Sequence, residues 1–438
     1  MPIRSDAPNG PRPVTTPTTS TPTPPAASTP AAAPDAGWKP KSNDQVLFVA
    51  MNNSEAHRST FESDTMKARG VNVAVIKDAA KDDTITTKDA RGVATTHDLT
   101  TPEGAKSFAL TLGLPGEQTQ KIADVLLNAG SDARDELAQV AQVWAQAERG
   151  GQAPSRLVLS GHHVGYGVYG ENNGHLDWPT VGKLAEAMPR GARTVEDLLI
   201  AGCYSGGQSF MDKYQAIFPN AKTLMAYDGS SPGASSGATA HQKGWEQATR
   251  GTREDIDRKI FEGMRKGENV TVWTKAHGFQ DGRPPASLDD LRAQQQRGQG
   301  DFQAALSGQA TIENPQTGAV RDFYSATQRL IQNPATPPAE RAQLEGVRDQ
   351  TIRLLFFPVV SKRFAEAYAL KLDKGFQALG MPKPDFKSLT RAQALAAITQ
   401  FETRLAATTP VPDAAAQLAP TLAAFKALDR SVIPDTWV

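Results

Sequence analysis

The chain has little of what usually reveals a protein's compartment or its partners. It contains one cysteine, Cys203, in 438 residues, which excludes an intramolecular disulfide framework. Lysine plus arginine and aspartate plus glutamate number 47 each, so the formal net charge is zero. A neutral chain gives no reason to expect a basic surface for nucleic acid or for anionic membranes. We therefore expect neither nucleic acid nor a membrane among its partners.

Long apolar runs are missing as well. The longest candidate, residues 354–360, is broken by Pro358 and is far shorter than the roughly 20 residues of a membrane helix. The N-terminus has no apolar segment of the kind found in a Sec-type signal. The sequence thus predicts no membrane span and no Sec export, and we expect the protein to be cytoplasmic or non-classically exported.

Composition divides the chain into three parts. Residues 1–43 are dominated by Pro, Thr, Ser and Ala, a composition that cannot bury a core, and are expected to form a disordered leader. Order is expected to begin at Gln45. Residues 44–284 alternate apolar strand-like runs with helical segments, which predicts an α/β domain with a mainly parallel sheet flanked by helices. After residue 284 the strand-like runs disappear and helical spacing predominates, which predicts an all-α C-terminal region over 285–438.

The individual elements follow from periodicity and from capping signals. Buried strands are predicted over 46–51, 71–76, 156–161, 198–202, 222–227 and 270–273. One helix is predicted to begin at Thr101-Pro102, because a capping threonine precedes an N1 proline. A second stretch runs from Gln118 to about Glu148 with a break at Gly130, and a further helix is opened by Pro179.

Two of the predicted strands end in residues capable of nucleophilic chemistry. The strand over 156–161 is followed by the pair His162-His163, and the strand over 198–202 is followed by Cys203 and a Ser-Gly-Gly turn. Open α/β sheets place their chemistry at the carboxyl ends of strands. A histidine beside a cysteine raises the thiolate fraction, as does the positive end of the helix expected after Gly207. The pattern predicts a Cys–His hydrolase, with Cys203 as nucleophile and His162 preferred to His163 as general acid/base.

These two half-motifs resemble those of the caspase/legumain superfamily of cysteine peptidases, in its bacterial caspase-like form. Residues 157–162 (LVLSGH) match a hydrophobic strand that ends in Ser-Gly-His, and residues 199–207 (LIAGCYSGG) match a strand that ends in Cys-x-Ser-Gly. The resemblance covers about residues 45–280. It implies a caspase-like fold and a cysteine endopeptidase that hydrolyses polypeptides through an acyl-enzyme, without a metal or other cofactor.

The resemblance also implies an oxyanion hole and a substrate pocket. The backbone N–H groups of Cys203 and of residue 163 would hold the oxyanion, although His163 stands where the family has glycine. Ala201 replaces the acidic residue with which some relatives bind a basic P1 side chain, so the P1 preference is left open. Candidates for substrate binding are Asp228, Arg58 and Gly161. For Asp228 the sequence slightly favours a structural role, capping the turn at Gly229, over an acidic wall of the S1 pocket.

Other functions remain as alternatives. A cysteine amidotransferase would use a histidine after the nucleophile, His241 or His277, but Ala201 breaks its Gly-x-Cys-x-Gly pattern. A phosphatase loop needs an arginine six residues after the cysteine, where Ser209 stands. A catalytically inactive caspase-like interaction module is the third alternative. His175, His241 and His277 show no metal-ligand spacing.

The C-terminal region has an expected role by analogy. In legumain-like relatives a helical C-terminal segment covers the active-site cleft and keeps the enzyme latent. The same arrangement here would bring residues 285–438 to the carboxyl edge of the sheet, near Cys203, His162 and Asp228, and would inhibit the enzyme intramolecularly. A helical domain docked away from the cleft is the alternative.

Overall fold

The structure is a computed structural model of the chain. It describes residues 39–40, 44–51, 73–77, 81–163, 165–170, 174–233, 237–264, 269–315 and 317–432. Residues 39–438 form one compact unit, which includes both the α/β part and the C-terminal helices.

A seven-stranded sheet lies at the centre of the α/β part. Its strands are β2 (Val46–Ala50), β3 (Val73–Ile76), β6 (Arg156–Ser160), β10 (Asp197–Ala201), β11 (Thr223–Tyr227), β13 (Val270–Thr274) and β14 (Gly278–Asp281). Their spatial order is β14-β13-β11-β10-β6-β2-β3. The strands from β3 to β11 are parallel, and β13 and β14 add an antiparallel edge. Because the central strands are buried on both faces, they are apolar throughout rather than alternating.

Helices cover both faces of this sheet. They are α1 (Pro102–Thr111), α2 (Gly116–Leu127), α3 (Arg134–Glu148), α4 (Trp178–Ala187), α5 (Pro189–Thr194), α6 (Gln208–Ile217), α7 (Ala238–Thr249) and α8 (Ile256–Glu262). Leu159 and Ile200 face the first core, which α1 to α6 complete with residues such as Trp144. Val158 and Leu199 face the second core, on which Trp245 of α7 packs.

The α/β part also contains smaller sheets. They are built from β1 (Lys39–Pro40) with β12 (Gly251–Thr252), β4 (Thr84–Lys88) with β5 (Ala94–Asp98), and β7 (His162–His163) with β8 (Gly167–Tyr169) and β9 (His175–Asp177). The last of these continues directly from β6 and forms a small antiparallel sheet at the carboxyl end of the central strands.

The C-terminal region is helical throughout its described residues. Its helices are α9 (Leu288–Leu306), α10 (Ala319–Gln332), α11 (Pro338–Leu355), α12 (Phe357–Ala367), α13 (Ala369–Ala378), α14 (Arg391–Ala406) and α15 (Asp413–Lys426), followed by a short 3₁₀ turn (Arg430–Val432). Their apolar side chains form a third, aromatic-rich cluster, the helical core, which includes Phe364, Phe386 and Phe425. Tyr166, Tyr204 and Phe210 of the α/β part belong to the same cluster, so the two regions share apolar contacts.

The fold class predicted from the sequence is confirmed, with differences in detail. The helix begun by Thr101 has the expected cap, since the Thr101 side chain accepts a hydrogen bond from the backbone N–H of Gly104. The structure adds β14 after the strand expected to be last, and it adds the hairpin β4–β5 and the sheet β7–β9. These strands are short and polar, so their composition does not indicate strand structure. They are defined instead by pairing with neighbouring strands.

Two further predictions concern where the ordered chain begins and where the α/β part ends. Order was expected from Gln45, but Lys39–Pro40 already pairs with Gly251–Thr252, because a short extended segment can add backbone hydrogen bonds without apolar content. The domain boundary expected near residue 284 stays a prediction. Among the described residues, no helix is both long and apolar enough to cross a membrane.

Candidate active site

The candidate residues lie where two neighbouring parallel strands end. In the ladder between β6 and β10, Ser160 pairs with Ala201, and the N–H of Gly161 donates to the carbonyl of Ala201 at 3.3 Å. His162 and Cys203 each lie two residues beyond this last pair, where the chain after β10 has already entered a turn. The crossover that returns from β6 to β10 includes α4 and α5, as expected for a parallel pair.

Side-chain alternation assigns the two histidines to opposite faces. His163 pairs with Val168, which lies in the first core, whereas His162 pairs with Tyr169, which packs against the helical core. Directly opposite residues of an antiparallel pair share a face. A Cβ added to Gly202 would lie 2.7 Å from that of His163, so His163 and Gly202 also share a face. Cys203 itself lies in the turn after β10, and the His163 ring lies 6.3 Å from the ring of Phe210 in the helical core.

The surroundings of Cys203 differ from those expected of an activated thiol. Its side chain is half-buried and packs against the helical core, and its Sγ accepts a hydrogen bond from the backbone N–H of Ser231 at 3.3 Å. Burial raises the pKa of the Cys203 thiol, although the Ser231 N–H acts in the opposite direction. The helix α6 does begin nearby, with Gly207 as N-cap.

His163 is buried as a neutral imidazole. Its side chain is 1% exposed, and its Nδ1 accepts a hydrogen bond from the backbone N–H of Gly165 at 3.0 Å. Burial, with a smaller contribution from the neighbouring His175, lowers the pKa of His163 to about 3, while the Cys203 carbonyl acts against both. A group with this pKa cannot carry a proton to a leaving amine near neutral pH.

His162 has a more suitable environment for proton transfer. It is half-buried, and its ring centroid lies 5.3 Å from that of Tyr169. Tyr169 and Cys203 both pack against the helical core, which places His162 and Cys203 beside the same cluster. The backbone N–H of Cys203 donates to no residue that the structure describes, which leaves it available to an oxyanion.

Tyr204 ties the cysteine turn to the C-terminal helices. It is fully buried with φ of 57°, a left-handed conformation that costs a side chain roughly 1–2 kcal/mol. Its hydroxyl donates to the carbonyl of Pro315 at 2.6 Å, and its ring makes edge contacts with Tyr324 at 4.6 Å and Phe356 at 5.3 Å. The sequence pattern did not identify Tyr204, because its partners lie more than 100 residues away.

Asp228 is also in contact with the helical region. It follows β11, is fully buried, pairs with Arg283, and accepts a hydrogen bond from the Tyr324 hydroxyl at 3.1 Å. Burial raises the pKa of the Asp228 carboxyl, and Arg283 opposes that rise. In this conformation the Asp228 carboxylate is therefore already bound by Arg283 and Tyr324. A substrate-binding role stays a prediction that requires Tyr324 to move.

The other two substrate-binding candidates are not at an open surface that the structure describes. Gly161 is enclosed, since a Cβ there would lie 2.8 Å from the carbonyl oxygen of Tyr169 and 3.0 Å from Cβ of Met51. Its N–H is used in the sheet, as noted above. Arg58 lies outside the described residues.

Further contacts bring α11 onto the same edge. Arg348 donates to the hydroxyl of Ser209 at 2.9 Å and lies over the ring of Phe210. Arg353 donates to the hydroxyl of Tyr166 at 2.7 Å. These contacts fall on segments that follow the His162 and Cys203 strands, so the helical region covers the carboxyl edge of the sheet.

The remaining histidines have partners elsewhere. His241 lies against Tyr227 and contacts its hydroxyl at 3.2 Å, and His277 contacts Asp257 at 2.9 Å. Neither is therefore positioned by these contacts as a partner of Cys203 in an amidotransferase arrangement. The described residues contain no cluster of His, Cys, Asp and Glu that could hold a metal ion.

Comparison with known proteins adds little to this geometry. No family model matches the chain, and no curated protein matches it. Among solved structures, the chain is similar to a secreted C11 cysteine protease from Bacteroides thetaiotaomicron, at 13% identity, with 66% of this chain and 85% of that chain covered and a TM-score of 0.27. A structural similarity this weak does not indicate the function of the chain.

Proposed function

We propose that the protein is a cysteine endopeptidase in which Cys203 is the nucleophile and His162 the general acid/base. One observation supports the proposal: β6 and β10 are adjacent parallel strands, and His162 and Cys203 follow their paired ends at the carboxyl edge of the sheet. His163 is buried with a pKa of about 3, which favours His162 for proton transfer.

The chemistry would proceed through an acyl-enzyme. His162 takes the thiol proton, the Cys203 sulfur attacks the scissile carbonyl, and the backbone N–H of Cys203 stabilises the oxyanion. The C–N bond then breaks as the imidazolium gives its proton to the leaving amine. Water, deprotonated by His162, hydrolyses the thioester and restores the thiol. We include the N–H of His163 as the second oxyanion donor, as the sequence predicts.

We further propose that the conformation described here is latent. Burial raises the pKa of the thiol, and Tyr204 and Asp228 are both held by the C-terminal helices. A polypeptide substrate would need this edge to open. The same observations favour the competing proposal of a catalytically inactive interaction module, in which the edge stays covered.

Peptide hydrolysis with a Cys203→Ala control separates the two proposals. We expect the wild-type chain to cleave members of a positional-scanning peptide library, and Cys203→Ala to be inactive with a stability change of about 1 kcal/mol. Cys203 is the one thiol of the chain, so labelling by an electrophilic peptide that is lost in Cys203→Ala identifies Cys203 as the reacting residue. Equal activity of the two proteins would remove Cys203 as nucleophile. Absence of cleavage by a folded, opened wild type would favour the interaction module.

A further inference from the structure

A cavity of about 230 Å³ lies within the C-terminal helices. Its lining includes no residue of the candidate active site. Most of the wall is apolar and is formed by Ile312, Leu354, Leu355, Phe357, Pro358 and Leu389. Sites for drug-sized ligands measure about 300–1,000 Å³, so this cavity is suited to a smaller molecule.

One cation is built into this apolar wall. Arg391 is 8% exposed and begins helix α14. Its Nε and Nη2 donate to the carbonyl of Leu306, and Nη2 also donates to the carbonyl of Lys426 at 2.8 Å. These carbonyls belong to the last residues of α9 and α15, where helix dipoles favour a positive charge. The guanidinium is thus held in place by two helix ends.

The remaining nitrogen of Arg391 has no such partner. Its Nη1 makes no hydrogen bond to any residue that the structure describes, and none of the described carboxylates pairs with it. Burial lowers the pKa of Arg391 to about 10, so the group is still protonated at neutral pH. A buried cation that lacks a carboxylate beside an apolar cavity favours an anionic ligand.

The other charged side chains near the cavity have their own partners and do not neutralise Arg391. Lys387 also lines the wall and pairs with Glu366 at 3.3 Å. Asp385 accepts a hydrogen bond from the hydroxyl of Ser388 at 2.9 Å. The N-terminal turn of α14 borders the cavity through Thr390, Arg391 and Ala392, and its field adds to the preference for negative charge.

We propose that this cavity binds a small molecule with an apolar chain and a single carboxylate. The carboxylate pairs with Nη1 of Arg391, and the chain packs against Leu354, Leu355 and Phe357. This inference is independent of the peptidase proposal, because it uses no residue of that site.

Calorimetric titration of the full-length protein with matched probes tests the charge requirement. We expect octanoate to bind with one-to-one stoichiometry. Octanol, which keeps the chain but lacks the charge, should bind at least tenfold more weakly, because a hydrogen bond between charged groups is lost. Acetate, which keeps the charge but lacks the chain, should not bind at millimolar concentration. Equal affinity for octanoate and octanol, or no binding of octanoate, would overturn the proposal.

A second comparison locates the site. Ala310 is exposed and lines the cavity mouth, so Ala310→Trp should fill it without disturbing the helices and should abolish octanoate binding. Ala423→Trp, which adds the same side chain at an exposed position outside the lining, should bind as the wild type does. Arg391→Gln is informative where circular dichroism shows that it folds, since it also loses helix contacts. Wild-type affinity in Ala310→Trp would rule out this cavity.

Discussion

At the scale of single residues, the protonation of Cys203 and His163 is governed by burial. The thiol is desolvated against the helical core, which raises its pKa, and the N–H of Ser231 compensates in part. His163 is neutral because its burial excludes water from the imidazole. His162 retains contact with solvent. Adjacent positions of one strand thus have opposite environments, because successive side chains of a strand point to opposite faces.

Alanine substitutions should distinguish the two histidines. We expect His162→Ala to reduce kcat/KM on a cleavable peptide by about 10²- to 10⁴-fold, the usual contribution of a general acid/base. His163→Ala should have a much smaller effect on activity, since the backbone N–H remains. Circular dichroism and thermal melting of each variant control for loss of fold. A larger loss in a folded His163→Ala protein would transfer the catalytic role to His163.

The depressed pKa of His163 also predicts a pH dependence of stability. The unfolded chain binds a proton near pH 6.5, whereas the folded chain binds it only near pH 3. The contribution is therefore complete above pH 6.5 and is lost as the pH falls from 6.5 toward 3, at about 1.4 kcal/mol per pH unit.

Urea denaturation from about pH 7 to about pH 5 measures this contribution as the difference between wild type and His163→Gln. The wild-type free energy of unfolding should fall more steeply than that of the variant. Equal slopes in wild type and His163→Gln would contradict the depressed pKa of His163.

At the scale of elements, helix α10 connects the C-terminal region to the strand ends. Tyr324 on this helix donates to the buried Asp228 carboxylate and packs against Tyr204. The Tyr324 hydroxyl therefore provides a hydrogen-bond donor for the Asp228 carboxylate, which follows β11 at the edge of the sheet. A buried acceptor that loses its donor costs about 1–3 kcal/mol, so this contact stabilises the covered conformation.

Tyr324→Phe removes that hydroxyl and keeps the ring. If the helices act as a cap, we expect a lower melting temperature and a higher basal rate of peptide hydrolysis than in the wild type. Ser361→Ala is the matched control, because it removes a buried hydrogen bond to the Phe386 carbonyl inside the helical region. An equal rise in activity in both variants would indicate general loosening rather than release of the edge.

At the scale of the whole molecule, the helical core extends across both regions. It contains Tyr166, Tyr204 and Phe210 of the α/β part together with the C-terminal aromatic residues. Burial of shared apolar surface is the main force that holds such regions together. The C-terminal helices therefore cover the strand ends as part of the folded unit, and their removal would expose an apolar surface.

Truncation after residue 284 tests whether this cover inhibits the enzyme. We expect the truncated protein to hydrolyse peptides faster than the full chain, because Cys203 and Asp228 become accessible to substrate and the thiol is rehydrated. The truncated Cys203→Ala protein is the blank. Light scattering must show a soluble monomer, since the newly exposed apolar surface favours aggregation. A soluble, folded truncation with unchanged or lower activity would contradict the cap.

The sequence by itself determined the fold class and the positions of the main strands. Apolar runs such as 46–51 and 198–202 are long enough and uninterrupted enough to be strands, and Thr101-Pro102 defines a helix start through local capping. It also singled out Cys203 and the histidine pair, because residues directly after buried parallel strands meet at one edge. These features depend on short-range patterns, which a sequence displays.

The tertiary structure decided what surrounds those residues. The short strands β7 to β9 assign His162 and His163 to different faces, and the approach of Tyr324 to Asp228 joins residues 96 positions apart. The raised pKa of Cys203 and the lowered pKa of His163 depend on how much water each group loses on folding. Desolvation results from contacts between distant segments, so no local pattern in the sequence contains it.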